Sequence, residues 1–247
     1  MSIGRIKNTK LWNRTLAEVD GDMYKDKRDE LRVAFIKFRE NATHLVSQIS
    51  AALPGLTQHD ISHLDALWEV ADLICGDDYP LNPLEAFVFG GAVLLHDSAL
   101  CFEAYDNGIE GIRNTDVWKD SYASASENVV DASESEKIAD FSALRAFHAH
   151  QAEKLTEKSW EDPETKTSLF LLENATLRKH LGKLIGQIAA SHHWSIEDVA
   201  SKLLSQVNVL QAFHVIGELI QLKLLVWCVV PMLLISIMKE LLISCML

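Results

Sequence analysis

Two His-Asp dipeptides, His59-Asp60 and His96-Asp97, place an imidazole beside a carboxylate, a combination that suits transition metals. The second dipeptide follows the apolar run GGAVLL, so its side chains come at the far end of a predicted buried helix. A carboxylate at a helix C-terminus opposes the helix dipole, which makes Asp97 costly unless a cation compensates for its charge. The pattern therefore favours a cation site at His96 and Asp97.

The first dipeptide has a structural interpretation that we favour over a functional one. In LTQHD, Thr57 is a suitable N-cap and Asp60 falls at the third helical position, which is the capping-box arrangement. His63 lies one turn beyond His59, so these two imidazoles are predicted to share a helix face.

Two further histidine clusters follow, LRAFHAH with His148 and His150, and ASHHW with His192 and His193. A single histidine is more often a surface or core residue than a ligand, but four clusters on four predicted helices favour a shared site. Imidazoles with a carboxylate suit Mn, Fe, Co, Ni or Zn, whereas Mg usually prefers oxygen ligands and is kept as an alternative.

The elements that must position these residues are predicted to be helices. Apolar residues recur at helical spacing over residues 26–53, and a second helix is expected to run from the LTQHD cap to Ile74 and stop at Gly76. The segment LNPLEAF predicts a third helix, because Asn82 can cap it, Pro83 suits its first position and Glu85 completes a capping box. The body of this helix is apolar almost all round, which indicates a central position in the fold.

The remainder of the chain completes an all-α prediction of the kind seen in a helical bundle. Residues 106–140 are polar and serine-rich, which predicts a long surface loop, more readily a solvated insertion than a lid. Helical patterns return from about residue 140, and Ser195 with Asp198 predicts a further capped helix. We find no repeats, no glycine-rich phosphate loop and no convincing strands.

Composition narrows the classes of function. A net charge of −12 over 247 residues argues against non-specific binding to nucleic acid or to anionic membranes. The four cysteines form no CxxC pair, and the first thirty residues contain no apolar signal-peptide core. Both observations favour a cytoplasmic protein with free thiols.

The order H…HD…H…HH on successive helices resembles the HD superfamily of metal-dependent phosphohydrolases, over about residues 56–219. The strongest segment is LLHDSAL, which is moderately specific when combined with HLDALWEVADLI. The segments LTQHDISHLDALWEVADLI and LNPLEAFVFGGAVLLHD also look like HD modules found N-terminal to GHKL-type ATPase domains. The resemblance implies an HD-like domain at 56–220, after an N-terminal helical extension at 1–55, and an ATPase domain as partner in the full-length protein.

The resemblance also implies roles for individual residues. The metal ligands would be His63, His96, Asp97, His148 and His192, with His148 and His192 at a second metal. Asp97 and His193 would be catalytic, and His59 and Arg145 would contact the phosphate or substrate. A metal-bound hydroxide would attack the phosphorus of a nucleotide or another phosphoester. The alternatives are a regulatory module that senses nucleotide or metal for an ATPase, and a membrane-tethered helical protein whose histidines are incidental.

Residues 221–247 depart from the family pattern, because they contain no aspartate where the family places its last metal ligand. The apolar run 224–238 has 15 residues and includes Pro231, short of the roughly 20 that a membrane span needs, so an anchor is the less favoured explanation. We back-translated the segment from Gln221 with permitted codons and read it two bases out of phase. In that frame it can encode R-C-A-D, the pattern in which the family has its last metal ligand. We therefore favour a frameshifted fragment, in which the missing carboxylate would weaken both metal binding and hydrolysis.

Overall fold

The computed structural model describes residues 3–54, 56, 59–77, 79–128, 131–162, 164–195, 197–199 and 201–203. Over these residues the protein is a bundle of helices with one two-stranded hairpin, so the all-α prediction is confirmed. The tail at 221–247, with its predicted frameshift, lies outside the described residues. No helix in the described part of the chain combines the length and hydropathy needed to cross a bilayer.

The N-terminal helices pack into the same hydrophobic core as the rest of the described chain. Trp12 and Phe35 lie with their ring centroids 5.9 Å apart, and Phe35 lies 5.4 Å from Trp68. The Trp68 indole donates a hydrogen bond of 3.0 Å to the Thr9 hydroxyl, so the indole N–H is satisfied inside the core. The first four helices are α1 (Gly4–Lys7), α2 (Lys10–Thr15), α3 (Lys25–Val46) and α4 (Ile49–Ala52).

Helix α5 (Ile61–Cys75) begins differently from the predicted capping box. Asp60 is itself the N-cap, and its carboxylate accepts a hydrogen bond of 2.8 Å from the backbone N–H of Ser62. The prediction that Asp60 occupies the third helical position is therefore wrong, because the helix starts directly after it; Thr57 lies outside the described residues. The structural interpretation of Asp60 as a capping residue is confirmed.

Helix α6 (Pro83–Leu95) is the central helix of the bundle, as its apolar sequence predicts, and it packs against α3 and the later helix α10 (Ala175–Ala190). Its capping box is present, since Asn82 accepts from the Glu85 N–H and the Glu85 carboxylate accepts from the Asn82 N–H. A Cβ at Gly90 would lie 2.4 Å from the Phe35 ring, so this position requires glycine for close helix packing. Because α6 is central, His96 and Asp97 at its end are buried in the interior of the bundle.

The prediction of a surface loop over residues 106–140 is wrong, because most of these residues are helical. A 3₁₀ turn (Phe102–Ala104) leads into α7 (Gly108–Arg113), α8 (Asp116–Asn128) and α9 (Ala132–Ala152), and α8 packs along α9. The Asp140 carboxylate accepts hydrogen bonds from Arg113 at 2.8 Å and from the Trp118 indole at 2.7 Å, which joins the three helices. Helices α7 and α8 each bury one apolar residue, Ile112 and Ala125, rather than a broad apolar stripe, so the helical periodicity was weak in the sequence.

Two short strands, β1 (Ser159–Glu161) and β2 (Ser168–Phe170), pair antiparallel between α9 and α10. The prediction of no strands is wrong for this hairpin, whose three-residue strands are too short to show alternation. After α10 a 3₁₀ turn (Ser191–His193) carries the last histidine pair. The Asp198 N–H donates to the Ser195 hydroxyl at 3.1 Å, and residues 197–199 and 201–203 are helical, as the predicted cap requires.

Candidate metal centre

The end of α6 provides the one carboxylate of a buried histidine cluster in the described residues. His96 and Asp97 are 5% and 7% exposed, and the His96 Nε2 lies 3.0 Å from the Asp97 Oδ2. The His63 Nε2 on α5 lies 3.7 Å from the same oxygen, and the His59 Nε2 lies 3.9 Å from it. Three imidazoles from two segments therefore surround one carboxylate oxygen.

The His59 and His63 rings lie side by side, with ring centroids 5.3 Å apart, but not on one helix face as predicted. His59 precedes the helix, because Asp60 is the cap and Ile61 the first helical residue. The cap thus fixes the direction in which the chain enters α5, and this direction brings His59 to Asp97.

A second group of imidazoles adjoins the first. His148 on α9 and His192 in the 3₁₀ turn after α10 have their Nε2 atoms 3.1 Å apart. The His193 ring lies 4.7 Å from that of His148, and the His192 ring lies 5.9 Å from that of His96. Among the described residues, two groups have ligand atoms within 4.8 Å of one another: His63 with His96 and Asp97, and His148 with His192 and His193.

The proton positions on three rings follow from backbone contacts. The Nδ1 atoms of His96, His148 and His192 lie 2.8, 2.8 and 2.6 Å from the carbonyl oxygens of Val93, Arg145 and Ala189. A carbonyl oxygen only accepts hydrogen bonds, so each Nδ1 carries a proton and donates it. Each contact joins residues three apart in one helical turn, and it turns the Nε2 atom toward the cluster. Metal-ligating histidines are typically oriented in this way.

Burial keeps two of these rings neutral. Desolvation lowers the pKa of His148 to about 4 and that of His192 to about 3. A neutral ring with its proton on Nδ1 has a lone pair on Nε2, so at neutral pH two lone pairs face each other across 3.1 Å. A hydrogen bond between them would require a second proton on one ring, which burial opposes. A bound cation would remove the repulsion.

The donor set fits a transition metal. The buried His96 Nε2 makes no hydrogen bond to any described residue, although it lies among ring nitrogens and a carboxylate oxygen. Imidazole nitrogens with one carboxylate suit Mn, Fe, Co, Ni or Zn better than Mg. The five residues predicted as ligands therefore converge in space, while their roles and the number of metals remain predictions.

The other predicted site residues differ in position. His193 is exposed and lies in the second ligand group, although the family resemblance implied a catalytic role for it. Its position directly after His192 was the sequence signal that it could be a ligand. The Arg145 backbone carbonyl orients His148, and its guanidinium lies 5.8 Å from the Phe141 ring centroid. The catalytic role of His193 and the substrate roles of His59 and Arg145 remain predictions.

The described chain is thus an all-α bundle with a histidine and aspartate cluster that could bind a metal ion. Comparison with protein families matches residues 53–225 to the HD-CE family, and the chain belongs to that family. The match covers the cluster and supports an HD-like domain. Comparisons with curated proteins and with solved structures found no match.

Proposed function

We propose that this chain is an HD-type, metal-dependent phosphohydrolase module that acts on a nucleotide or another phosphoester. The observation that carries the proposal is the pair of facing Nε2 lone pairs on His148 and His192, beside the His63, His96 and Asp97 group. The two facing neutral imidazoles, His148 and His192, lie beside a carboxylate and further ring nitrogens, which favours binding of a divalent cation. The proposed cofactor is Mn, Fe, Co, Ni or Zn, with Mg as the alternative.

The proposed mechanism assigns separate tasks to the chain's own residues. The metal, when bound, would lower the pKa of a coordinated water and supply a hydroxide nucleophile near neutral pH. Asp97 would help hold the metal and orient the attacking water, because its Oδ2 lies within 4 Å of three imidazoles. His193 is exposed at the edge of the cluster, where it can donate a proton to the leaving oxygen at its Nε2 or Nδ1.

Substrate contacts are proposed for the two residues beside the ligands. His59 reaches the Asp97 oxygen at 3.9 Å, so it can hydrogen-bond a phosphoryl oxygen that approaches the same side. Arg145 lies one helical turn before His148, where its positive charge can bind an anionic substrate.

Elemental analysis of the purified chain, together with turnover of a panel of phosphoesters, tests this function. We expect bound transition metal and hydrolysis of at least one phosphoester after metal loading. Tight nucleotide binding without turnover, also in a version with a repaired C-terminus, would instead indicate the regulatory sensing module. Absence of both metal and phosphoester binding would refute both functions.

We also propose that the residues after about Gln221 are out of frame, and that the intact protein continues into an ATPase domain. The support is the tail's lack of aspartate and the R-C-A-D sequence that an alternative frame can spell. Sequencing the coding DNA tests the proposal: restoring one or two bases near codon 221 should open a long reading frame. If every frame stops soon afterwards, the proposal fails.

A further inference from the structure

Helix α9 carries three residues of complementary chemistry along one face. Phe141, Arg145 and His148 are four and three residues apart, so at 100° per residue their side chains fall within a narrow arc. The helical rise places Arg145 about 5 Å and Phe141 about 10 Å from His148 along the axis. The face therefore runs from an aromatic ring, through a cation, to a candidate metal ligand.

Arg145 differs from the other seven arginines of the chain. Each of those donates to, or pairs with, a carboxylate or a backbone carbonyl: Arg5, Arg14, Arg28, Arg32, Arg39, Arg113 and Arg178. The Arg145 guanidinium makes no ion pair with a described residue and lies instead near the Phe141 ring. In a protein with a net charge of −12, an arginine that pairs with no carboxylate of the described residues and lies beside a candidate metal site is suited to an anionic ligand.

Phe141 supplies the aromatic end of this face. Its side chain is 39% exposed, and within the described part of the chain its ring lies outside the hydrophobic core. By contrast, Trp194, which follows the His192-His193 pair, is partly buried and packs against the core. An exposed aromatic ring offers a stacking surface of the kind that binds nucleobases.

We propose that Phe141 and Arg145 form a nucleotide-recognition pair: Arg145 binds the phosphate held at the metal site, and the Phe141 ring stacks on the base. The inference rests on the proposed phosphohydrolase function, and it specifies the substrate class as a nucleoside phosphate rather than a sugar phosphate. Along α9 from His148, Arg145 comes first and Phe141 second. This order matches that of a nucleotide, in which the phosphate is followed by the sugar and the base. The cation–π contact with Arg145 holds the aromatic ring on the side of the helix that faces the phosphate.

Binding measurements on the Mn-loaded chain test the proposal, with 5′-AMP and ribose 5-phosphate as probes in isothermal titration calorimetry. Stacking on an aromatic side chain predicts that wild-type protein binds 5′-AMP about fivefold or more tightly than ribose 5-phosphate. Phe141→Ala should remove this preference and leave ribose 5-phosphate binding unchanged. Phe141→Tyr should keep the preference for 5′-AMP, because tyrosine also offers an aromatic ring. Arg145→Gln should weaken binding of both probes.

Ile138→Ala is the matched control, because Ile138 is equally exposed at 39% and lies on α9 about 15 Å along the axis from His148. This change should leave both affinities at their wild-type values. Equal binding of the two probes by wild-type protein, or an unchanged preference in Phe141→Ala, would overturn the recognition pair while leaving the phosphohydrolase function intact. Failure of the wild-type protein to bind either probe would overturn both.

Discussion

The two His-Asp dipeptides have the same sequence and opposite structural roles. Asp60 stands at the N-terminus of α5, where its carboxylate accepts a backbone N–H and is favoured by the helix dipole. Asp97 follows the C-terminus of α6, where the dipole disfavours a negative charge and the neighbours are imidazoles. The polarity of the nearest helix end, rather than the dipeptide itself, distinguishes a cap from a candidate ligand.

The largest predicted difference between the dipeptides is in metal retention. Asp97→Ala should abolish bound metal, because Asp97 is the carboxylate of the cluster and its charge favours a cation near His148 and His192 as well. Elemental analysis of the purified protein measures the loss. Asp60→Ala is the matched control and should retain the wild-type metal content; unaltered metal in both variants would refute the assignment of Asp97.

The second imidazole group provides a comparison within a single helix. His148→Ala should weaken metal binding by about tenfold or more, since it removes a ring whose Nε2 faces that of His192. His150→Ala is the control, because His150 lies on the same helix, is exposed, and is absent from both ligand groups of the described residues. Competition with a chelator measures both affinities, and equal affinities in the two variants would exclude His148 as a ligand.

The metal-free protein should lose stability in acid through the same histidines. Their folded-state pKa values, about 4 for His148 and about 3 for His192, lie below the unfolded value of about 6.5, so the unfolded chain binds more protons between these limits. Stability is then fully present above about pH 6.5 and falls as the pH decreases toward 4. We expect a decrease in Tm on the order of 5 °C or more between pH 7 and pH 5.

Thermal unfolding with chelator present measures this pH dependence. The double change His148→Leu with His192→Leu should flatten the profile, because neither position can then take up a proton on unfolding. His150→Leu should leave the slope of wild type. A profile as steep in the double variant as in wild type would show that other groups cause the acid sensitivity.

The sequence predicted the helices that depend on strong local signals. The capping box of α6 and the uniformly apolar body of this helix could both be predicted, because a cap and a buried helix have distinctive compositions. Helices α7 and α8 were not predicted, since each buries one apolar residue, Ile112 in α7 and Ala125 in α8. Both also contact one carboxylate, Asp140, whose partners are brought together by the tertiary fold. A helix that buries so few apolar residues shows little hydrophobic periodicity in its sequence.

The candidate site was predictable in its members but not in its electrostatics. The clustering of His63, His96 and Asp97 followed from a family motif. The neutral state of His148 and His192 depends on burial, and the orientation of their rings depends on carbonyls three residues earlier. Neither property is visible in a list of residue types, because each requires the packing of α9 against the end of α10.

The smallest predicted effect completes the comparison. Asp60→Ala should lower the free energy of unfolding by only about 0.5–2 kcal/mol, the usual cost of losing an N-cap, because the hydrogen bonds that Asp60 accepts from the Ser62 N–H and hydroxyl are replaced by bonds to water. Asp60→Asn should retain most of the stability, since an amide oxygen also accepts from the Ser62 N–H. Urea unfolding of the metal-free protein measures both changes without interference from metal binding. A loss above about 3 kcal/mol in Asp60→Ala would show that Asp60, through its position beside His59, supports the cluster as well as the helix.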